Sequence, residues 1–268
     1  MKINVILRVD DIKNRFDFIE LKNWFLKNYP RIPVCFYACN TNYKYMWKKS
    51  GWKSIKDVIL NYNWEIGGHS RNHKHLNQIP KEDLEKEIGK NIEDIENGLK
   101  LVGLNYKVTS FAYPYGDFNE NVKQILRKYK IIHGLTYSNA INYKSQIKIP
   151  ENNLFEINIS CNAKNLVEDW NLRFNQVYNE NGTYILCLHT PHWLKGNLKR
   201  IFINILQSKS LKASYMLLKD YFSYKVSIYY YKKEKSQLNR WNMLKEHLSF
   251  ILTHHNVQFI TFKDLIKK

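Results

Sequence analysis

Apolar positions change period repeatedly along the chain, from every second residue to every third or fourth. Alternation from Ile3 to Val9 predicts a first strand, and helical spacing from Phe18 to Phe25 predicts a helix after it. Further strands are predicted at residues 32–38, 64–66, 108–113, 131–136, 154–159 and 184–188. The helices between them are predicted at residues 54–62, 84–99, 122–129 and 163–178.

Strands that alternate with helices predict a mostly parallel sheet, either doubly wound or closed into a barrel. Four polar groups directly follow predicted strands: Asp10 and Asp11, His69, Pro114 and Tyr115, and His189. This placement favours the α/β barrel, in which the carboxyl ends of the strands form the catalytic face. Neighbouring residues on a regular strand point to opposite faces, so Asp10 and Asp11 can face one site only where the strand ends or bends. Alternatively, the acidic pair ends a strand and caps the next segment.

Chain length indicates the number of domains, and net charge indicates the kind of binding partner. The 268 residues are expected to form one domain, 1–268, because a single α/β core of this size is ordinary. The formal net charge of +18 indicates a polyanionic partner, which is nucleic acid, an anionic membrane surface or a phosphorylated substrate. Biased coding that enriches Lys, Asn, Ile and Tyr together is the alternative explanation. No nucleic-acid motif is present, so no specific nucleic acid is expected as a partner.

The chain carries no recognisable membrane-targeting segment. Its first apolar run is broken by Arg8, Asp10 and Asp11, and no stretch reaches the roughly 18 uncharged apolar residues of a membrane span. The four cysteines lie in or beside apolar runs without paired zinc spacing: Cys35, Cys39, Cys161 and Cys187. They are expected to be small buried hydrophobic residues in a reducing compartment. The expected location is therefore the cytoplasm, with peripheral contact at the inner membrane face as an option.

His69 and His73 lie four residues apart after the glycine pair Gly67 and Gly68. Two imidazoles at this spacing are a candidate metal site, although either histidine can equally be a satisfied loop residue. A hydrolytic zinc site usually takes three protein ligands, so the third must come from elsewhere in the chain. The zinc-protease motif is excluded, because Ser70 stands where that motif needs a glutamate.

The motifs together resemble the polysaccharide deacetylase family, which carries the NodB homology domain. The resemblance rests on four segments in the family's order: Val9–Asp11, His69–His73, Phe111–Gly116 and Leu186–His189. It spans most of residues 1–193, with a family-like closing helix and strand near residues 240–262. The third segment, Phe-Ala-Tyr-Pro-Tyr-Gly, resembles that of a bacterial subset. The resemblance implies an irregular (β/α) barrel.

The resemblance also implies roles for individual residues. Asp11, His69 and His73 resemble the metal ligands, and the metal is expected to be a single divalent ion, commonly zinc (Zn²⁺). Asp10 resembles the general base and His189 the general acid. The remaining implied or candidate contacts with the oxyanion or substrate are Tyr115, Pro114, Leu188, His75 and Trp193. One carboxylate with two imidazoles is also, by itself, a donor set that suits Zn²⁺.

Three departures from the family pattern affect the expected site. Many members orient the base with an arginine in the third motif, where Ala112 stands here, so Arg8 or Arg71 is the candidate replacement. The Asp-x-x-Asp-Trp motif is half present, because Leu166 stands where the first aspartate would be. Ile12 follows Asp11 in place of the usual glycine. These departures affect the expected substrate type and catalytic efficiency more than the expected metal site.

Residues 195–236 form a basic, aromatic-rich insertion after the last motif. The segment contains ten lysines or arginines against Asp220 and Glu234, with two apolar stripes at helical spacing. One interpretation is an interfacial helical segment on an anionic membrane. The other is a helical hairpin that packs on the barrel and leaves a basic face in solvent.

The sequence therefore predicts a metal-dependent N-deacetylase that acts on an acetamido sugar in a glycan, or on a lipid-linked or nucleotide-linked saccharide. The alternatives are an N-deformylase acting on a lipid-linked amino sugar and a non-catalytic carbohydrate or membrane-surface module on the same fold. Retention of Asp10, Asp11, His69, His73 and His189 favours an enzyme over such a module.

Overall fold

The computed structural model describes residues 2–41, 44–137, 148–149, 153–162, 165–189 and 237–266. The strands are β1 (Ile3–Ile12), β2 (Cys35–Ala38), β3 (Glu65–Gly68), β4 (Ser110–Ala112), β5 (His133–Leu135), β6 (Cys161–Asn162), β7 (Thr183–His189) and β8 (Val257–Phe259). The helices are α1 (Arg15–Asn28), α2 (Lys44–Tyr62), α3 (Lys81–Leu84), α4 (Lys90–Lys100), α5 (Glu120–Lys128), α6 (Val167–Asn179), α7 (Gln237–Leu252) and α8 (Phe262–Leu265). A π-type turn, Glu85–Gly89, joins α3 to α4.

The eight strands form one sheet in the order β5, β4, β3, β2, β1, β7 and β6, with β8 also paired to β1. Every pair among these strands is parallel. The segment 157–162 joins the two edges of the sheet, because Ile157 bridges Leu135 while Cys161 pairs with Leu186. The predicted α/β fold, an irregular (β/α) barrel, is therefore confirmed.

Strand β1 lies at the centre of the sheet, and its alternating side chains separate two apolar cores. Val5, Leu7 and Val9 are buried in the core between the sheet and the outer helices. Ile6 is buried in a second core inside the barrel. Because strand side chains alternate with a period of two, Arg8 and Asp10 share the interior side with Ile6. The side chains of Arg8 and Asp10, although charged, therefore point into the barrel.

The outer helices pack an apolar face against the sheet. In α1, Phe18, Leu21 and Phe25 are buried, and the side chain of Asn14 caps the helix by accepting bonds from the backbone of Phe16 and Asp17. Fully burying such a side chain contributes about 1.5–3 kcal/mol relative to leaving it exposed. All four cysteines are buried, as predicted.

Two of the predicted elements differ from the observed ones. The strand predicted at residues 154–159 is wrong, since that segment makes only the single bridge of Ile157 to Leu135. Its apolar side chains, including Ile157 and Ile159, fill the barrel interior instead of extending a ladder. The helix predicted at 54–62 begins earlier, at Lys44, with a non-helical residue at Lys48.

The basic insertion at 195–236 and the candidate contact Trp193 lie outside the described residues, so both stay predictions. Within the part of the chain that the structure describes, no helix is both long enough and apolar enough to span a bilayer.

Candidate active site

The carboxyl end of β1 brings two adjacent carboxylates to one side of the barrel. The pairing of β1 with β2 shifts register between Val9 and Ile12. Asp11 adopts a left-handed backbone with φ of 64°, which is uncommon for a residue that carries a Cβ. This turn breaks the alternation of the strand. Asp10 and Asp11 can therefore both face the site, as the sequence required of a bent strand end.

Three potential metal ligands converge at this point. The Oδ1 atom of Asp11 lies 3.3 Å from Nε2 of His69 and 2.8 Å from Nε2 of His73. The three donor atoms all lie within 4.8 Å of one another. His69 follows β3 directly, whereas His73 lies in the loop beyond it. The predicted ligand set is thus brought together from two strand ends of the barrel.

The orientation of His69 suits a metal ligand. Its Nδ1 atom lies 2.8 Å from the backbone oxygen of Ala112, and its backbone N–H donates to Oδ1 of Asn91 at 3.0 Å. A carbonyl can only accept, so Nδ1 must carry the proton in this contact, and Nε2 is the nitrogen that a neutral ring would offer to a metal ion. Such a bond on the second ring nitrogen is typical of histidine ligands.

The loop that carries His73 is fixed by Glu87 from the π-type turn. Ser70 and His73 both have left-handed backbones, with φ of 56° and 55°, and Oγ of Ser70 accepts from the backbone of His73 at 2.9 Å. The buried carboxylate of Glu87 accepts from the backbone and the side-chain amide of Asn72 at 2.9 and 2.8 Å. Left-handed backbone angles at residues other than glycine often occur at functional sites. Glu87 therefore supports the ligand loop, a role that the sequence pattern did not indicate.

The donor chemistry fits a divalent cation. Burial disfavours ionised Asp11, but hydrogen bonds from His69 and His73 hold its pKa well below the ordinary value. Burial likewise acts against protonated His69, yet the contacts with Asp11 and Asp10 raise its pKa above 6.5. The environment of Asp11 and His69 thus favours a positive charge at this point, either a proton or a cation. One ionised carboxylate and two imidazole nitrogens are a donor set that suits a divalent cation such as Zn²⁺.

Asp10 is held by Arg8, and the two side chains are 2% and 1% exposed. The guanidinium donates through Nε to Oδ1 at 2.8 Å and through Nη2 to Oδ2 at 2.6 Å. Burial alone would raise the pKa of Asp10, but Arg8, followed by His69, lowers it below the ordinary value. The thiol of Cys187 lies 3.6 Å from Oδ2 of Asp10. Asp10 is therefore ionised at neutral pH.

His189 ends β7 beside Asp10, with its Nε2 4.0 Å from Oδ2 of Asp10. Burial lowers the pKa of His189 below 6.5, although the nearby Asp10 opposes this effect. The ring of Tyr137 meets His189 edge to face at 4.9 Å, and the hydroxyl of Tyr137 accepts from Asn162. Neither Tyr137 nor Asn162 was predicted. The available signal was the position of Tyr137 directly after a predicted strand.

Tyr115 and His75 form an exposed aromatic pair at the rim of the site. Their rings are stacked with centroids 3.7 Å apart, and His75 is paired with Asp117. The Tyr115 side chain is 52% exposed, its backbone is left-handed with φ of 60°, and its ring meets His73 at 4.7 Å. An aromatic surface next to the ligand set can contact a substrate ring.

Two other predicted contacts, Pro114 and Leu188, are buried. The side chain of Leu188 is 1% exposed and lies in the core between the sheet and the helices. Asp169 accepts a bond from the backbone of Leu166 at the start of α6, where it completes a helix cap.

The structure decides between the two candidate partners of the base. Arg71 donates to Asp94 at 3.2 Å, whereas Arg8 makes the two-point contact with Asp10. Arg8 is therefore the arginine that holds this carboxylate.

Comparison with known families gives one match. Residues 23–133 match the model of the polysaccharide deacetylase family. The matched range contains His69 and His73 but neither the end of β1 nor His189. A search of curated proteins finds no match.

Several solved structures are similar to this chain. A protein from Mycobacterium smegmatis that is assigned as a polysaccharide deacetylase is 12% identical, with a TM-score of 0.59, and the alignment covers 99% of this chain and 89% of that one. The Xyl-CE4 domain of a multidomain xylanase from the hindgut metagenome of Trinervitermes trinervoides is 14% identical, with a TM-score of 0.51 and coverage of 100% and 91%. A CE4 family pseudoenzyme from Bacillus anthracis is 17% identical over 70% of this chain, with a TM-score of 0.46. The chain spans 55% of the length of that pseudoenzyme.

At these identities the two higher TM-scores show the fold alone. The match to the polysaccharide deacetylase model is limited to residues 23–133, which are less than half of the chain.

Proposed function

We propose that this protein is a metal-dependent hydrolase that removes the N-acetyl group from an acetamido sugar. The observation that carries the proposal is the placement of two groups of side chains side by side. Asp11, His69 and His73 aim donor atoms at one point, and Asp10 and His189 lie next to them at the ends of β1 and β7. A metal-ligand set beside two groups that can move protons is the arrangement that amide hydrolysis requires.

Asp11, His69 and His73 would hold a divalent cation, and their donor chemistry favours Zn²⁺. When bound, such an ion polarises a carbonyl oxygen and lowers the pKa of water to about 7. The backbone N–H of Tyr115 is assigned to the oxygen of the amide carbonyl as charge develops on it.

Asp10 is assigned as the general base. Its pKa, lowered by Arg8 against the effect of burial, keeps the carboxylate ionised in the neutral range. An ionised carboxylate held in one plane can accept the proton that leaves water as the C–O bond forms.

His189 is assigned as the general acid for the departing amine. Burial lowers its pKa, so the ring begins neutral at pH 7 and must gain a proton before it can give one. Asp10 lies 4.0 Å away and supplies that proton after it has taken one from water. His189 then protonates the amide nitrogen as the C–N bond breaks. The proton lost by water thus ends on the amine, and the acyl group leaves as acetic acid, which ionises to acetate in solution.

The proposed substrate class is based on the amide bond that is cleaved and on the aromatic pair at the rim of the site. The exposed pair of Tyr115 and His75 lies beside His73 and offers an aromatic surface to a sugar ring. A formamide uses the same groups, so an N-deformylase acting on an amino sugar is the close variant of this proposal.

The test is acyl release from a panel of nucleotide-linked, lipid-linked and polymeric N-acyl sugars. The purified protein is loaded with Zn²⁺, acetate and formate are measured separately, and Asp10→Asn serves as the matched control. Acetate release by the wild type, abolished in Asp10→Asn and by chelation, supports the deacetylase. Formate release alone supports the deformylase. Stoichiometric metal with no acyl release from any substrate supports the non-catalytic module.

A further inference from the structure

A second group of metal-binding side chains lies beside the proposed ligand set. In the part of the chain that the structure describes, two groups bring the donor atoms of three His, Cys, Asp or Glu side chains within 4.8 Å of one another. One group is the proposed ligand set, and the other comprises Asp10, Cys187 and His189. The proposed hydrolysis uses Asp10 and His189, whereas Cys187 has no part in it.

The three side chains of the second group come from two adjacent parallel strands. Cys187 and His189 are two residues apart on β7, and side chains at this spacing lie on the same face of a strand. Asp10 on β1 is the register partner of His189. Groups carried by strands are held more precisely than groups carried by loops. The sheet thus holds a thiol, a carboxylate and an imidazole together without help from a loop.

The separations of the donor atoms suit a tetrahedral ion. Sγ of Cys187 lies 3.6 Å from Oδ2 of Asp10, and Nε2 of His189 lies 4.0 Å from the same oxygen. Zinc bonds of about 2.0–2.3 Å at tetrahedral angles place ligand atoms about 3.3–3.6 Å apart. The thiol already meets this spacing, and the imidazole would have to approach the carboxylate by a few tenths of an ångström.

Arg8 leaves a coordination position on Asp10. The two oxygens of a carboxylate offer about four lone-pair positions. The guanidinium of Arg8 uses one position on each oxygen, at 2.8 and 2.6 Å. Oδ2 keeps a second position, toward which Cys187 directs its thiol. A cation can take the place of the thiol proton at this point while Arg8 keeps both of its contacts.

The sulfur ligand decides which ions this site takes. Thiolates favour soft or borderline ions such as Zn²⁺ and Cd²⁺, whereas Mg²⁺ and Ca²⁺ prefer oxygen ligands. The thiol gives up its proton to solvent as the metal–sulfur bond forms. Because this deprotonation and the nearby guanidinium of Arg8 both oppose binding, the site should fill only when the ion is in excess over the proposed ligand set.

We propose that Asp10, Cys187 and His189 form a second, inhibitory site for a thiophilic divalent cation, such as Zn²⁺ in excess. The inhibitory effect rests on the proposed hydrolysis, in which Asp10 accepts a proton and His189 donates one. A carboxylate and an imidazole that bind a cation no longer carry those protons, so an ion bound here stops turnover. Binding of the ion does not itself depend on the hydrolysis.

A cadmium titration tests the site without any substrate. Cd²⁺ bound to a thiolate gives an ultraviolet charge-transfer band that carboxylate and imidazole ligands do not give. Metal-free wild type, Cys187→Ala, Cys187→Ser and the control Cys35→Ala are titrated, and bound Cd²⁺ is counted by equilibrium dialysis. Cys35 is a matched control because it is equally buried and lies 3.7 Å from a carboxylate oxygen of Glu65. It belongs to neither group of three donors in the described part of the chain.

We expect two bound ions and one thiolate band in the wild type and in Cys35→Ala. Cys187→Ala and Cys187→Ser should each bind one ion and show no band. His73→Ala should lose an ion and keep the band, since it changes only the proposed ligand set. A single ion without a band in the wild type overturns the proposal, as does a band that persists in Cys187→Ser or is lost in Cys35→Ala. If Cys187→Ala does not fold, Cys187→Ser alone decides, because serine is close to cysteine in size.

Zinc inhibition tests the consequence for activity. Acyl release is measured with stoichiometric and with excess Zn²⁺, and the two rates are compared within each protein. Proton transfer contributes about 10²–10⁴-fold, so excess Zn²⁺ should lower the rate of the wild type and Cys35→Ala by about 100-fold or more. The rate of Cys187→Ser should be the same at both zinc levels.

Equal inhibition of the wild type and Cys187→Ser overturns the inhibitory role. Absence of acyl release by the wild type with stoichiometric Zn²⁺ would instead reject the proposed hydrolase, and the cadmium titration would then decide on the site.

Discussion

Asp10 at the end of β1 and His189 at the end of β7 are partners in the sheet register, and the Oδ2 atom of Asp10 lies 4.0 Å from the Nε2 atom of His189. Parallel pairing places the two strand ends side by side, so residues 179 positions apart in the sequence meet at one edge of the barrel. Two opposite effects act on the pKa of His189: burial lowers it, and the nearby Asp10 raises it. The arrangement gives a proton a short path from one group to the other.

Substitution of the ligands should separate metal binding from turnover. Asp11→Asn and His73→Ala each remove one of three donors, so both should lose bound zinc and activity. Asp10→Asn keeps the three donors and removes the proposed base, so it should keep zinc and lose turnover. Metal analysis of the purified variants by mass spectrometry checks both statements. Stoichiometric zinc in His73→Ala would show that the ligand assignment is wrong.

Loss of the general acid should depend on the leaving group. His189→Gln removes proton delivery to the amine, and general acid catalysis is worth about 10²–10⁴-fold. We expect a loss of that size for an N-acetyl sugar. A 4-nitrophenyl ester, whose leaving group needs no proton, should lose much less. Parallel measurement of kcat/KM on both substrates provides the check, and equal losses would argue against His189 as the acid.

Glu87 should influence metal affinity without contacting the metal. Its carboxylate holds the backbone and side chain of Asn72 in the loop that carries His73. Substitutions of such supporting residues typically cost 10–100-fold in metal affinity. Glu87→Ala should therefore raise the Kd for Zn²⁺ by about that factor in competition titrations with a chromophoric chelator. Glu82→Ala removes an exposed acidic side chain from the preceding helix and should leave the Kd unchanged.

Two buried histidines should make the protein less stable in mild acid. Burial lowers the pKa of His247 to about 3 and that of His133 to about 4, from 6.5 in each case. Between these values and 6.5 the unfolded chain binds protons that the folded chain does not. The free energy of unfolding should therefore fall as the pH drops below about 6.5, by about 1.4 kcal/mol per pH unit for each histidine.

Denaturant unfolding at several pH values between 4 and 7 measures this slope. His247→Gln should flatten it by about one proton's contribution, even though the loss of contacts with Tyr184 and Asn171 lowers stability at pH 7. His255→Gln changes an exposed histidine and should leave the slope as it was. An equal slope in His247→Gln and the wild type would mean that His247 is not kept neutral by burial.

Features that depend on local periodicity could be predicted from the sequence. Alternation along β1 and the apolar spacing of α1 and α4 correspond to buried faces in the structure, because each element must cover its own apolar side. Polar residues at strand ends were enough to place His69 and His189 on one face, since parallel strands share a direction. The fold class and the convergence of Asp11, His69 and His73 followed from these patterns and from the resemblance.

Contacts between distant segments were decided only by the tertiary structure. Both Arg8 and Arg71 were candidates to hold Asp10, and only the direction of the β1 side chains and the pairing of Arg71 with Asp94 distinguish them. The left-handed turn at Asp11 leaves no periodic signal, because it is a single backbone angle supported by the surrounding sheet. The apolar segment 154–159 has a strand pattern, yet it makes one isolated bridge to Leu135 and places Ile157 and Ile159 in the barrel interior, because β-propensity depends on the tertiary context. The sequence by itself determined which side chains can carry the chemistry, and closure of the sheet decided which of them meet and what holds them.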